Sequence, residues 1–134
     1  MIHRRQAREL ALQVLFQSEF SPKVTSNQFL ELFDEVIDKE TLHMTDSLVQ
    51  GVQSHKEKID QILQSSSNHW KIDRMSTVDR NILRIATFEM HFASEPVKPS
   101  ITINEAIEIS KKYGTSESSS FVNGLLDQVA KYRT

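Results

Sequence analysis

Arginine clusters and edge aromatics are the residue types whose spacing suggests chemistry in this sequence, and that chemistry is recognition of a polyanion. Arg4, Arg5 and Arg8 fall within the first turns of an amphipathic pattern. A guanidinium presents a planar fork of donors that fits phosphate oxygens and the guanine edge. Arginines at a helix start oppose the helix dipole, so local helix stability does not account for them. A merely solvated cluster is the alternative. A second group lies near the far end: Lys111 and Lys112, then Ser116 to Ser120, then Phe121 and Asn123. An aromatic at the edge of an apolar stripe, beside an amide and hydroxyls, can stack on an unpaired base while its neighbours hydrogen-bond. The alternative for Phe121 is a place in the core.

Catalytic constellations are missing. The five histidines (His3, His43, His55, His69 and His91) show no paired metal-ligand spacing, and each is expected at the surface. There is no HExxH, no GxSxG and no carboxylate pair that the sequence brings together. The absence of cysteine excludes disulfides, thiolate metal sites and cysteine nucleophiles. Only three glycines occur, far apart, so no glycine-rich phosphate loop can form. No enzyme activity, cofactor or metal is therefore expected.

The elements that must position these groups fit one domain of 134 residues, or two small packed lobes of about 1–67 and 68–134 meeting at Ser65-Ser66-Ser67-Asn68. The net charge of −2 argues, by itself, against a protein devoted to polyanions. Its distribution says more: the stretch from Thr25 to Asp60 carries −5 and the remainder +3. A mildly basic surface implies weak RNA binding alone and stronger binding beside a partner that adds contacts. The first residues run straight into the amphipathic pattern, and no run approaches the ~18 apolar residues of a membrane span, so no membrane is expected and the cytoplasm is the expected location.

Apolar residues recur at three- and four-residue spacing throughout, which predicts an all-α fold of about seven helices in two small bundles. The first helix ends at Ser21-Pro22. The others are expected at Asn27 to Ile37, Thr41 to Ser54, Lys56 to Leu63, Thr77 to Phe92, from a capping box at Thr102 to Glu105 as far as Gly114, and Glu117 to Tyr132. Thr77 is expected to cap its helix, and Gly114 to adopt a left-handed conformation. On a helical wheel, Ala7, Leu10, Ala11, Val14 and Leu15 form the core stripe of the first helix, with Leu12 and Phe16 opposite. That pair is either a contact surface or covered by another helix of the same domain. Glu89 falls within the wide apolar arc of the fifth helix and needs a partner, most simply at a neighbouring helix start.

Four blocks of sequence resemble the NusB family of bacterial transcription antitermination factors. These are Arg4 to Phe16, Val78 to Ala86 continuing to Phe88-Glu89, Ile103 to Ile109, and Phe121 to Asp127. The resemblance spans nearly the whole chain, with Ser21 to Ser67 the least diagnostic part. It implies one NusB-like RNA-binding domain that binds single-stranded boxA RNA of ribosomal RNA operons. It implies a heterodimer with a small-subunit ribosomal protein (NusE in this role), and action with NusA and NusG on RNA polymerase to read through terminators. By position, Arg4, Arg5, Arg8, Lys111, Lys112, Glu117, Phe121 and Asn123 would lie on or near the RNA surface. Phe16, Asp79 and Arg84 would face or border the protein partner, with Leu12 beside Phe16. The competing expectation is a protein–protein module that homodimerises through Leu12 and Phe16, its arginines solvated.

Overall fold

A computed structural model describes residues 1–21, 25–33 and 35–132. Within them the chain forms seven α-helices and no strand: α1 (Arg4–Phe20), α2 (Ser26–Glu31), α3 (Lys39–Ser54), α4 (Lys56–Ser66), α5 (Thr77–His91), α6 (Pro99–Tyr113) and α7 (Ser118–Lys131). A single 3-10 turn, Ile72–Arg74, leads into α5. The all-α expectation holds, because the apolar period is that of a helix in every long segment.

The central helix explains the assembly. α5 packs against α1, α3, α4, α6 and α7, so its apolar arc has to be wide. Ser76, rather than Thr77, is its cap: the Ser76 hydroxyl accepts from the Asp79 backbone N–H at 3.1 Å. Ile82, Leu83, Ile85, Ala86 and Met90 join residues of all the other helices in one hydrophobic cluster. Leu83 is fully enclosed, and truncating such a leucine to alanine costs about 2–5 kcal/mol. α3 crosses α5 so closely that a Cβ on Gly51 would run into the Phe88 ring. The Phe88 ring packs directly on the α3 backbone at Gly51, so any larger residue there would have to displace it.

Several boundaries differ from the expected ones for local reasons. α2 stops at Glu31, not Ile37; Thr25 and Gln28 form a reciprocal capping box at its start, but beyond Leu30 the backbone turns by i→i+3 bonds. Only Leu30 of this helix is buried, so no apolar stripe holds a longer one. Pro22 and Asp34 lie outside the described residues. α3 begins earlier than expected because the Asp38 carboxylate accepts from the Thr41 N–H at 2.8 Å. α4 continues into the serine run, which then turns through Ser67: its hydroxyl donates to the Trp70 carbonyl at 2.9 Å and accepts from the Trp70 N–H at 3.2 Å.

The expected capping box at Thr102 is also corrected. α6 starts at Pro99, whose missing N–H suits the first turn. Thr102 is therefore interior and buried, and Glu105 is released for a tertiary role. Gly114 has φ −95°, not a left-handed value. A Cβ there would meet the Ser118 side chain and, at 2.8 Å, the Ser110 carbonyl oxygen, so the glycine serves a tight approach of α6 to α7. Two histidines are half-buried rather than superficial. His55 bonds the Gly51 carbonyl through Nδ1 at 2.9 Å, and His91 bonds the Val129 carbonyl through Nε2 at 2.8 Å.

Candidate nucleic-acid interface

α1 and α6 both pack on α5, and long charged side chains bridge between them. Arg5 donates through Nε and Nη2 to the two Glu105 oxygens at 3.0 and 2.7 Å. This bidentate bond, with the Glu105 charge, holds the Arg5 guanidinium above its ordinary pKa and the Glu105 carboxyl below its own. Lys112 Nζ donates to Glu9 at 2.8 Å, which raises the Lys112 pKa. The same Glu9 oxygen accepts from the Tyr113 hydroxyl at 3.1 Å. Lys111 pairs with Glu108 at 3.1 Å on the solvent side. Arg4 is exposed and makes no ion pair with a described residue. Arg5 and Lys112 are thus balanced by carboxylates reaching between α1 and α6, Lys111 by one on α6 itself, and Arg4 stands exposed at the start of α1.

Arg8 differs from its neighbours. It is 5% exposed, and its guanidinium donates to both Glu89 oxygens at 2.7 and 2.9 Å. Burial opposes its charge, but the Glu89 and Glu105 carboxylates outweigh burial and hold its pKa above the ordinary value. Glu89 therefore finds its partner in the first turns of α1, though in a side chain rather than in backbone. The wheel grouped Arg8 with the surface arginines; the structure turns it inward because α5 supplies a carboxylate beneath it.

Leu12 requires a similar correction. It is 2% exposed and lies among Ile82, Ile85, Ala86, Ala106 and Ile109 of α5 and α6. Of the two readings of the Leu12–Phe16 pair, coverage by another helix holds for Leu12. Phe16 is 38% exposed and packs on the more exposed Phe20 at 4.8 Å between ring centroids. Arg84 is buried and donates to both Asp60 oxygens at 2.9 and 3.0 Å, so its surface role is limited to the rim it shares with Glu19.

At the other end of α6 the chain passes within three residues from Lys112 to Thr115, which borders a cleft of about 200 Å³. Asp79, Glu117 and Phe121 line it, together with Trp70, Arg74 and Met75. Phe121 is half-buried and meets the exposed Trp70 edge-to-face, centroids 6.3 Å apart and planes at 82°. Glu117 and Asn123 are exposed. Sequence reasoning missed Trp70, Arg74, Glu9 and Glu105. For Trp70 a signal existed, since the chain's one tryptophan directly follows its most polar linker.

The helical fold agrees with that of known proteins. The NusB family model matches residues 5–131. The chain belongs to the NusB family. The transcription antitermination protein NusB of Bdellovibrio bacteriovorus is 62% identical over 128 residues, covering 96% of this chain and 95% of that protein. The solved structure of T. maritima NusB superimposes with a TM-score of 0.88 at 38% identity, covering 99% of this chain and 94% of that one. A NusB chain solved with NusE and double-stranded RNA matches with a TM-score of 0.80 at 28% identity, covering 95% of each chain. The helices described above are those of a NusB fold, and the charged bridge and the cleft lie on it.

Proposed function

We propose that this NusB-family chain binds boxA RNA of ribosomal RNA operons as a heterodimer with the ribosomal protein NusE, and so promotes terminator read-through. The observation that carries the reading is the family match over residues 5–131, joined to a relative solved with NusE and RNA. Arg4, Arg5, Lys111 and Lys112 supply the phosphate contacts, and Glu117, Phe121 and Asn123 supply contacts to unstacked nucleotides. Arg8 acts from beneath by fixing α1 on Glu89. Phe16, with Phe20, contributes the apolar part of the protein-facing surface, bordered by Asp79 and the Arg84 rim. NusA, NusG and RNA polymerase join in a larger assembly, with the chain acting in the cytoplasm and carrying out no chemical step. About four phosphate contacts give a limiting salt slope near −3 on single strands, reduced wherever a carboxylate of the chain must first be displaced. A titration of boxA RNA at several salt concentrations, with and without NusE, tests this: affinity rises with NusE and falls with salt. Salt-independent binding with no gain from NusE would sink it.

The exposed Phe16–Phe20 pair supports a second reading, in which this face joins two copies of the chain. Phe16→Glu separates the two. Loss of NusE-dependent RNA affinity in a monomeric protein supports the first; loss of a dimer with RNA affinity intact supports the second.

A further inference from the structure

We infer that Glu105 and Glu9 are built-in stand-ins for RNA phosphate: their carboxylates occupy Arg5 and Lys112 in the free chain and yield them only to a strand with further contacts to offer. The inference rests on the RNA-binding reading above and deepens it. Both bridges cross between α1 and α6, and in both the cation faces water with the acid behind it. The Arg5 side chain is 49% exposed against 16% for Glu105, and Lys112 is 61% exposed against 15% for Glu9. A strand arriving from solvent therefore meets the cations first. To a guanidinium fork, a carboxylate and a phosphate present similar pairs of oxygens. Glu105 holds that fork through Nε and Nη2, while Arg5 Nη1 makes no hydrogen bond to a described residue. A phosphate can land on Nη1 and then compete for the rest.

These bridges are displaceable because each carboxylate has a second donor to fall back on. Arg8 uses Nε and Nη2 on Glu89 and turns Nη1 towards Glu105 at 3.5 Å. Glu9 accepts from the Tyr113 hydroxyl at 3.1 Å, and Gln13 Nε2 donates in turn to the Tyr113 oxygen at 3.3 Å. A released acid is thus not left unpaired behind the strand, which is the outcome that would cost most. Glu89 has no such reserve. Its side chain is 4% exposed and both its oxygens are bonded to Arg8, so that pair stays closed. The Arg5 hydrogen bond holds the Glu105 carboxyl below its ordinary pKa, so the stand-in keeps its charge near neutrality. Every nucleotide carries the same phosphate, so the competition weakens all RNA alike. RNA with only phosphates to offer is lost first, whereas a strand with base contacts, or one held beside NusE, still binds.

Fluorescence anisotropy reads this competition, using the full chain with labelled single-stranded boxA RNA or a scrambled RNA of equal length, each with and without NusE. Glu105→Gln and Glu9→Gln are each expected to tighten both RNAs by a common factor of about three to ten at about 50 mM salt, a gain that shrinks two- to threefold by about 200 mM. Placed on Arg5→Ala, Glu105→Gln should give no gain, and Glu9→Gln should give none on Lys112→Ala. Urea unfolding of the same proteins shows whether each is folded. If Glu105→Gln is not, Glu9→Gln carries the test, since it leaves Glu105 and the Arg8–Glu89 pair intact. Weaker binding by the glutamine variants would mean that the bridges hold Arg5 and Lys112 in an RNA-ready pose, and overturns the inference. A gain that survives loss of the cation overturns it too, because overall charge then explains the effect. So does a gain confined to boxA RNA, which would make the acids part of base readout, and so does unchanged affinity, which puts both cations off the strand. All four outcomes leave RNA binding by the wild-type chain standing. A wild-type chain that binds neither RNA, even with NusE, overturns the proposed function itself.

Discussion

Two regions of this molecule handle polar groups in opposite ways. Along α1 and α6 the cations meet carboxylates of the chain itself: Arg5 with Glu105, Arg8 with Glu89, Lys112 with Glu9. In the cleft by α7, Arg74 has no acid and Asp79 Oδ1 no donor among the described residues, and Trp70 is largely exposed. A region whose charges are already matched gives a ligand little net gain, because each phosphate must displace a carboxylate. A region left unmatched costs the free protein stability and returns it on binding. Under the proposed function, the first region would supply weak, salt-dependent attachment to RNA.

The matched region should matter most to the fold. Arg8→Ala leaves the Glu89 charge buried without a partner, and breaking such a pair costs about 3–5 kcal/mol. Urea unfolding should show it as a large drop in midpoint at unchanged slope. Replacing both partners, Arg8→Met with Glu89→Leu, should recover most of the loss. A single variant within about 1 kcal/mol of wild type would mean that water reaches Glu89 and that the region is not matched as described.

Acid separates the regions next. Burial alone would raise the Glu19 carboxyl, but hydrogen bonds from Asn81 and Arg80 outweigh it and hold it below the ordinary value. The Arg5 hydrogen bond lowers Glu105 likewise. A lowered folded pKa gives stability that is complete above the unfolded value, about 4.3, and is lost as pH falls through the folded one. Wild-type stability should hold from neutrality to about pH 5 and fall steeply below about pH 4. A Glu19→Gln/Glu105→Gln protein should be less stable near neutrality and show a shallower acid limb. Parallel acid limbs would show that these carboxylates do not carry the pH dependence.

Trp70→Ala should move stability by at most about 1 kcal/mol, the worth of one edge-to-face contact, since the hydrogen bonds at Trp70 run through its backbone. A larger loss in urea unfolding would mean the cleft wall serves the fold, and the contrast between the regions would fail.

What was legible in the sequence follows from the same contrast. Helical period is a local property, so the all-α fold and the stripe of α1 could be read from spacing alone. So could the need of Glu89 for a partner, because a carboxylate inside an apolar arc is conspicuous. The partner itself could not be read, since Arg8 and Glu89 are 81 residues apart. A single wheel assigns each residue one angle and has no knowledge of a second neighbour, and so it put Leu12 and Arg8 on open faces that α5 and α6 cover. Thr102 and Glu105 have the spacing of a capping box, but Pro99 starts the helix earlier and tertiary pairing claims the glutamate. The cleft joins the Ser67–Trp70 turn to the start of α7, and only the packed helices bring Trp70 to Phe121.

The smallest effect decides how strictly the two regions divide their work. Glu105→Gln removes the charge that balances Arg5 while keeping a side chain of the same shape beside it. Arg5 then meets a phosphate without first displacing a carboxylate, so one more counterion is released on binding. The slope of log affinity against log salt should steepen by about 0.7 on single-stranded RNA, which amounts to a two- to threefold gain in sensitivity over a fourfold range of salt. Trp70→Ala should weaken binding at every salt concentration and leave the slope unchanged, because stacking releases no counterions. Titrations of both variants against boxA RNA with NusE make the comparison. If Trp70→Ala flattened the slope, the cleft would be acting through charge; if Glu105→Gln left it unchanged, Arg5 would lie off the path of the phosphates.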